Sequence, residues 1–188
     1  MTHKLLITRP LPAKVVEAAK AVFDVTLRES NTPLTSSEVA EALAGYDAVL
    51  PTLGDIFGSG AFEGHARCRI LANFGVGFNH IDAVAARSAG IEVTNTPGAV
   101  TDATADVAMT LMLMTCRRAG EGERMLRAGN WEGWHPTQLL GMHVTGKTLG
   151  VIGAGNIGGI VCDRARGLKM KVVAYDPFLG EEKAKKIG

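Results

Sequence analysis

The chain has 188 residues, 46% of them hydrophobic, with a mean hydropathy of +0.13 and a formal net charge of +1. That is room for one domain or two small ones, with the composition of a soluble globular α/β protein. A net charge so near zero leaves no electrostatic footprint for nucleic acid or an anionic membrane, so neither is expected as a partner.

Lys4-Leu5-Leu6-Ile7-Thr8 reads as a first strand, ended by Arg9-Pro10. Pro12 suits a helix start, and Val15, Val16, Ala19 and Val22 give that helix an apolar face. Phe23 to Leu27 is a second strand, and Thr35-Ser36-Ser37-Glu38 has the form of a capping box opening a helix that reaches Leu43. Asp47 to Leu50 is a third strand, followed by the loop Pro51-Thr52-Leu53-Gly54. Residues 55–67 fit no element, because glycines interrupt any helical period. Arg69 to Phe74 is a fourth strand and runs into Gly75-Val76-Gly77. A helix from Ile81, just after His80, ends at Gly90, and Ile91 to Asn95 is a fifth strand. Strands alternating with helices in this way indicate a parallel-sheet domain over residues 1–97, with Thr96-Pro97-Gly98 as its boundary.

Beyond the boundary, Asp102 to Arg118 is a helix apolar on nearly every side, which predicts burial between domains or subunits. Gly120 to Gly146 reads as loosely structured and holds both tryptophans, Trp131 and Trp134. Then comes a strand, Thr148 to Ile152, the turn Gly153-Ala154-Gly155-Asn156-Ile157-Gly158, a helix to Lys169, and a strand from Lys171 to Tyr175 closed by Asp176. The G-x-G-x-x-G string alone is a weak signal in a chain with 23 glycines; the strand before it, the helix after it and an acid closing the next strand make it a dinucleotide-binding arrangement. Gly153 permits the tight turn, Gly155 lets a pyrophosphate approach the backbone, and Gly158 lets the helix pack on its strand. Free N–H groups and the positive end of the helix then face the phosphates. Asp176 can accept hydrogen bonds from the ribose hydroxyls, and Pro177-Phe178-Leu179-Gly180 brings no arginine for a 2′-phosphate, which favours NAD over NADP.

Cys68, Cys116 and Cys162 are odd in number, far apart and form no C-x-x-C pair, so neither disulfide nor metal site is expected and a reducing, cytoplasmic setting is the simpler reading. Met1-Thr2-His3-Lys4 leads into the first strand with no signal-peptide core, and the most apolar run, Ala103 to Cys116, contains Asp106 and falls short of the ~20 residues a membrane span needs. Residues 98–188 hold only part of a doubly wound fold of about six strands. The chain therefore reads as the first portion of a longer protein, with on the order of a hundred further residues expected.

Taken together, Asn73-Phe74-Gly75-Val76-Gly77-Phe78-Asn79-His80-Ile81-Asp82, Asn95-Thr96-Pro97-Gly98, Thr101-Asp102-Ala103-Thr104-Ala105-Asp106, Cys116-Arg117-Arg118, Trp131-Glu132-Gly133-Trp134 and Gly146 to Gly153 resemble the D-2-hydroxyacid dehydrogenases. Within that family they resemble the glyoxylate/hydroxypyruvate reductases. The resemblance implies a flavodoxin-like substrate domain followed by the first part of an NAD-binding Rossmann domain. It implies a homodimer, with the helix from Asp102 and the tryptophan segment at the partner; simple packing is the alternative for Trp131 and Trp134. It also implies that Val76 and Gly77 offer N–H groups to the carboxylate of a 2-oxo acid, with Leu53 on its other side. Thr104 would approach the nicotinamide, and Asn156 and Ile157 the pyrophosphate.

The family's catalytic arginine, glutamate and histidine are expected beyond Gly188. None of the five histidines here stands in the catalytic context, so the 188 residues alone are expected not to turn over. An NAD-sensing corepressor of the same fold and a formate- or phosphite-type dehydrogenase are the competing readings.

Overall fold

A computed structural model describes residues 2–187; Met1 and Gly188, which open and close the two expected domains, lie outside the described residues. The chain divides into two compact units, Met1–Ala99 and Val100–Gly188, so the division falls two residues after the expected one at Pro97.

In the first unit the elements run β1 (Lys4–Ile7), α1 (Ala13–Lys20), β2 (Asp24–Leu27), α2 (Ser36–Gly45), β3 (Ala48–Leu50), β4 (Ile70–Ala72), α3 (Ala83–Ser88) and β5 (Glu92–Thr94). The strands form one parallel sheet in the order β2-β1-β3-β4-β5, the flavodoxin-like doubly wound order. Register explains the two-sided core. Leu6 pairs with Val49 and Val49 with Leu71, so all three project from one face, where Val39, Leu43, Phe57, Ala86 and Ile91 cover them. Leu5, Ile7 and Ala48 project from the other face and pack with Ala19, Phe23 and Val25. Fully burying each such aliphatic side chain contributes roughly 1.5–3 kcal/mol, which makes the central strands the stable part of this unit.

Local signals set the helix ends. Thr35 and Glu38 form the capping box that opens α2: Thr35 Oγ1 accepts from the Glu38 N–H, and the Glu38 carboxylate accepts from the Thr35 N–H at 2.7 Å. α3 starts two residues later than expected because Asp82 caps it, accepting from the Ala85 N–H at 2.9 Å. His80 accordingly lies in the turn before α3 and does not begin the helix. Pro12 is the residue before α1 and lies outside its first turn. The unassigned stretch 55–67 holds a short 3-10 turn, Ser59–Phe62, anchored by the buried rings of Phe57 and Phe62.

In the second unit come α4 (Thr101–Cys116), α5 (Ala119–Arg127), β6 (Thr148–Ile152), α6 (Asn156–Gly167), β7 (Lys171–Tyr175) and α7 (Glu181–Ile187). β6 and β7 pair in parallel with α6 as their crossover. Met109 of α4, Ala165 of α6, Val144 and Met170 form the core. Arg164 fastens α6 to α4, reaching Asp102 and Asp106 at 3.2 Å each.

One expectation changes here. The segment after Gly120 begins with α5, a full helix; Gly120 and Gly122 hid its period, and Arg118 in the left-handed region (φ 54°) turns the chain into it. α4 is covered on one side only: Ala105 and Met109 are buried, whereas Val107, Leu111 and Met114 are exposed. The β6–β7 pair has one bare face, with Ile152, Val173 and Tyr175 exposed.

Candidate functional site

In the second unit the glycine turn has the geometry its spacing predicts. Gly153 sits at φ +90°, a conformation L side chains rarely adopt, and its N–H donates to the Tyr175 carbonyl at 2.8 Å. A Cβ on Gly158 would overlap the Gly153 oxygen and approach the Gly153 carbonyl carbon to 2.9 Å. Glycine at 158 is thus what lets α6 seat against β6. Gly155 differs: a Cβ there meets nothing within 4 Å, so the space in front of it is open. Gly155 is the N-cap of α6 and, among the described residues, no side chain caps the helix, which leaves its first N–H groups to a ligand or to water. Asn156 and Ile157 are exposed at this end.

Asp176 closes β7 beside the same turn. Its Oδ2 accepts from the Ala154 N–H at 2.9 Å and its Oδ1 from the Phe178 N–H at 2.8 Å. A bare helix N-terminus, open space at Gly155 and a fixed carboxylate one strand over can hold a diphosphate and the sugar attached to it. Thr104, on the first turn of α4, is exposed, and its hydroxyl donates to the Val100 carbonyl at 2.7 Å.

In the first unit the predicted residues lie at the carboxyl ends of the strands, the edge where open α/β sheets bind ligands. Leu53 follows β3 and is 66% exposed; a Cβ on Gly75 would stand 3.6 Å from its Cδ2, so the two loops lie side by side. Among the described residues neither the Val76 N–H nor the Gly77 N–H has an acceptor. Their loop is held from behind. Asn73, fully buried at the end of β4, donates through Nδ2 to the carbonyls of Gly75 (3.2 Å) and Gly77 (3.0 Å). Asn95, at the end of β5, donates to the Val76 carbonyl at 2.8 Å. His80 Nε2 lies 3.0 Å from Asn73 Oδ1. Since the Asn73 amide spends its hydrogens on two carbonyls, Oδ1 is the acceptor and His80 carries its proton on Nε2. Burial holds the His80 pKa below the usual histidine value, against the opposing charge of Asp55.

Sequence reasoning missed Asn73, Asn95 and His80 as parts of this site. The available signal was a polar amide ending each of two apolar strands beside a glycine loop.

Asp55 steadies the Leu53 loop. Wholly buried, it accepts from Thr8 Oγ1 (2.6 Å), the Thr52 N–H (3.0 Å) and the Leu34 N–H (3.0 Å), with Arg9 Nη2 at 3.6 Å. Burial pushes its carboxyl up, but these donors outweigh it and the net pKa is below the ordinary carboxylate value. A cavity of about 620 Å³ between α2 and residues 54–61 is lined by no ionisable side chain and by none of the predicted site residues. Among the described residues, no group of three or more His, Cys, Asp or Glu could hold a metal, and no helix is long and apolar enough to cross a membrane.

The chain has many relatives. It is 38% identical to a glyoxylate reductase of Thermococcus kodakarensis over 192 residues, an alignment that takes in 100% of this chain and 58% of that protein. It is 38% identical to a glycerate dehydrogenase of Hyphomicrobium methylovorum, over 92% of this chain and 54% of the relative. The chain thus spans little more than half the length of these curated relatives. Among solved structures, a Polaromonas sp. JS6 66 protein described as a D-isomer specific 2-hydroxyacid dehydrogenase, NAD-binding, superposes with a TM-score of 0.90 at 34% identity, over 98% of this chain and 59% of the other. Residues 5–188 match the profile of the D-isomer specific 2-hydroxyacid dehydrogenase catalytic domain, and the chain belongs to that family.

Proposed function

We propose that this chain is the substrate-binding unit and the first part of the nucleotide-binding unit of an NAD(H)-dependent D-2-hydroxyacid dehydrogenase. Its substrate is a small 2-oxo acid of the glyoxylate or hydroxypyruvate type. The observation that carries the reading is the turn at α6: an uncapped helix N-terminus, open space at Gly155, and Asp176 beside it. Bound nicotinamide supplies the hydride for C2 of the 2-oxo acid or accepts it from the 2-hydroxy acid.

The chain's own residues bind and orient. Gly155, Asn156, Ile157 and Gly158 receive the diphosphate, and Asp176 accepts from the adenosine ribose hydroxyls. The charge of Asp176 disfavours a 2′-phosphate, so NAD is preferred to NADP. Thr104 lines the nicotinamide side. The N–H groups of Val76 and Gly77 take the substrate carboxylate, with Leu53 flanking it. The acid that protonates the substrate oxygen, the glutamate that orients it and the arginine that pairs with the carboxylate are assigned to the length the relatives have beyond this match.

The protein acts as a homodimer in the cytoplasm. The exposed apolar side of α4 (Val107, Leu111, Met114) and exposed Trp131 and Trp134 support a partner surface. Free Cys68, Cys116 and Cys162 fit a reducing compartment.

The test is turnover by the protein extended to the length of its relatives. NADH should be consumed with glyoxylate or hydroxypyruvate, and far more slowly with NADPH. Nucleotide binding without turnover of any small 2-oxo acid would overturn the enzyme reading in favour of a nucleotide sensor.

A further inference from the structure

We propose that Asn95 and Asn73 are positioning residues for the substrate carboxylate, each setting the direction of one N–H that receives it. The proposal rests on the carboxylate reading of the Val76 loop given above.

A trans peptide unit is planar, and its C=O and N–H point opposite ways. Fixing a carbonyl therefore aims the N–H of the next residue. The Gly75 carbonyl shares its plane with the Val76 N–H, and it is held by Asn73 Nδ2 (3.2 Å) and the Thr96 N–H (3.0 Å). The Val76 carbonyl shares its plane with the Gly77 N–H and is held by Asn95 Nδ2 at 2.8 Å. The Gly77 carbonyl is held again by Asn73, at 3.0 Å. Two amide side chains thus fix three successive peptide planes in a loop whose glycines would otherwise leave them free to rotate.

The division of labour is uneven. Gly75 keeps a backbone donor if Asn73 is lost, whereas the Val76 carbonyl has Asn95 alone among the described residues. Asn73 is in turn locked by His80, whose Nε2–H is donated to its Oδ1. Asn73 is buried, while Asn95 is exposed at the end of an edge strand. Asn95 is therefore the position at which the aim of an N–H can be changed without opening the core.

The experiment is an amide-resolved NMR titration with glyoxylate of the protein extended to the length of its relatives, comparing wild type, Asn95→Ala and Asn95→Gln, with the melting temperature of each. In the wild type the Val76 and Gly77 amides should move together. In Asn95→Ala the Gly77 response should shrink and the glyoxylate affinity fall about five- to tenfold, the loss expected when one N–H is misaimed at a carboxylate. Asn95→Gln, which keeps an amide donor, should recover part of it, and the melting temperature should stay within a degree or two of wild type. A wild type whose Val76 and Gly77 amides ignore glyoxylate would sink the carboxylate reading, and the positioning role with it. A responsive wild type matched by an equally responsive Asn95→Ala would sink the positioning role alone.

Discussion

The Ala154 N–H donates to Asp176 Oδ2 at 2.9 Å, which joins the turn after β6 to the end of β7. The second oxygen is occupied by the Phe178 N–H, so the carboxylate is fixed in orientation and carries its charge beside the open end of α6. A preorganised acceptor binds a sugar without first being ordered. Asp176→Asn keeps the size of the side chain and removes the charge. Hydrogen bonds to a charged group contribute about 1.5–3 kcal/mol, so the NADH-to-NADPH affinity ratio should fall roughly tenfold or more. Parallel calorimetric titrations with both nucleotides measure it, and an unchanged ratio would remove Asp176 from nucleotide choice.

Two glycines of the turn should respond oppositely to alanine. Gly158→Ala drives a methyl into the Gly153 carbonyl, an overpacking that costs about 1–3 kcal/mol or more, visible as a lower melting temperature. Gly155→Ala meets no neighbour within 4 Å and should leave melting unchanged while NADH binding falls, because the methyl stands where the diphosphate would lie. Equal effects of both on stability would contradict the division into a packing glycine and a ligand glycine.

Asp55 should be the most sensitive polar side chain of the first unit. Asp55→Asn places an NH2 among donors already aimed at a carboxylate and deprives Arg9 of its anion. Unsatisfied buried donors cost about 1–3 kcal/mol, and chemical denaturation should show a loss of that order. Because Asp55 holds the Leu53 loop, glyoxylate binding should weaken as well.

At the amino edge of the first sheet, Arg67 grips Asp47 with two 2.8 Å bonds, and the Lys4 N–H adds a third at 2.7 Å. The Arg67 bonds, then that of Lys4, lower the Asp47 pKa to about 2. A carboxylate with a depressed folded pKa stabilises the fold above its unfolded value near 4, and the contribution disappears as pH falls from there toward about 2. Asp47→Asn should therefore melt lower than wild type at neutral pH, with the gap closing across that acid window. A constant gap down to pH 2 would contradict the pairing.

Much of this was legible in the chain. The alternation of short apolar runs with helical periods predicted every strand of the first unit, and the spacing from Gly158 to Asp176 predicted a crossover whose end returns to its own turn. What stayed hidden depended on partners distant in sequence. Asn95 acts on Val76 across 19 residues, and Asp55 meets Thr8 across 47, so neither leaves a local signature. α5 was hidden for a local reason, since Gly120 and Gly122 lower helix propensity in a segment whose docking lies elsewhere.

Mapping NADH onto the backbone amides of the 188-residue chain tests the nucleotide site most directly. Shifts should concentrate on residues 153–158 at the head of α6 and on Asp176, and should weaken at all of them together in Gly155→Ala. Binding that leaves these amides unmoved, or that centres on another face, would contradict the assignment of the α6 turn as the diphosphate site.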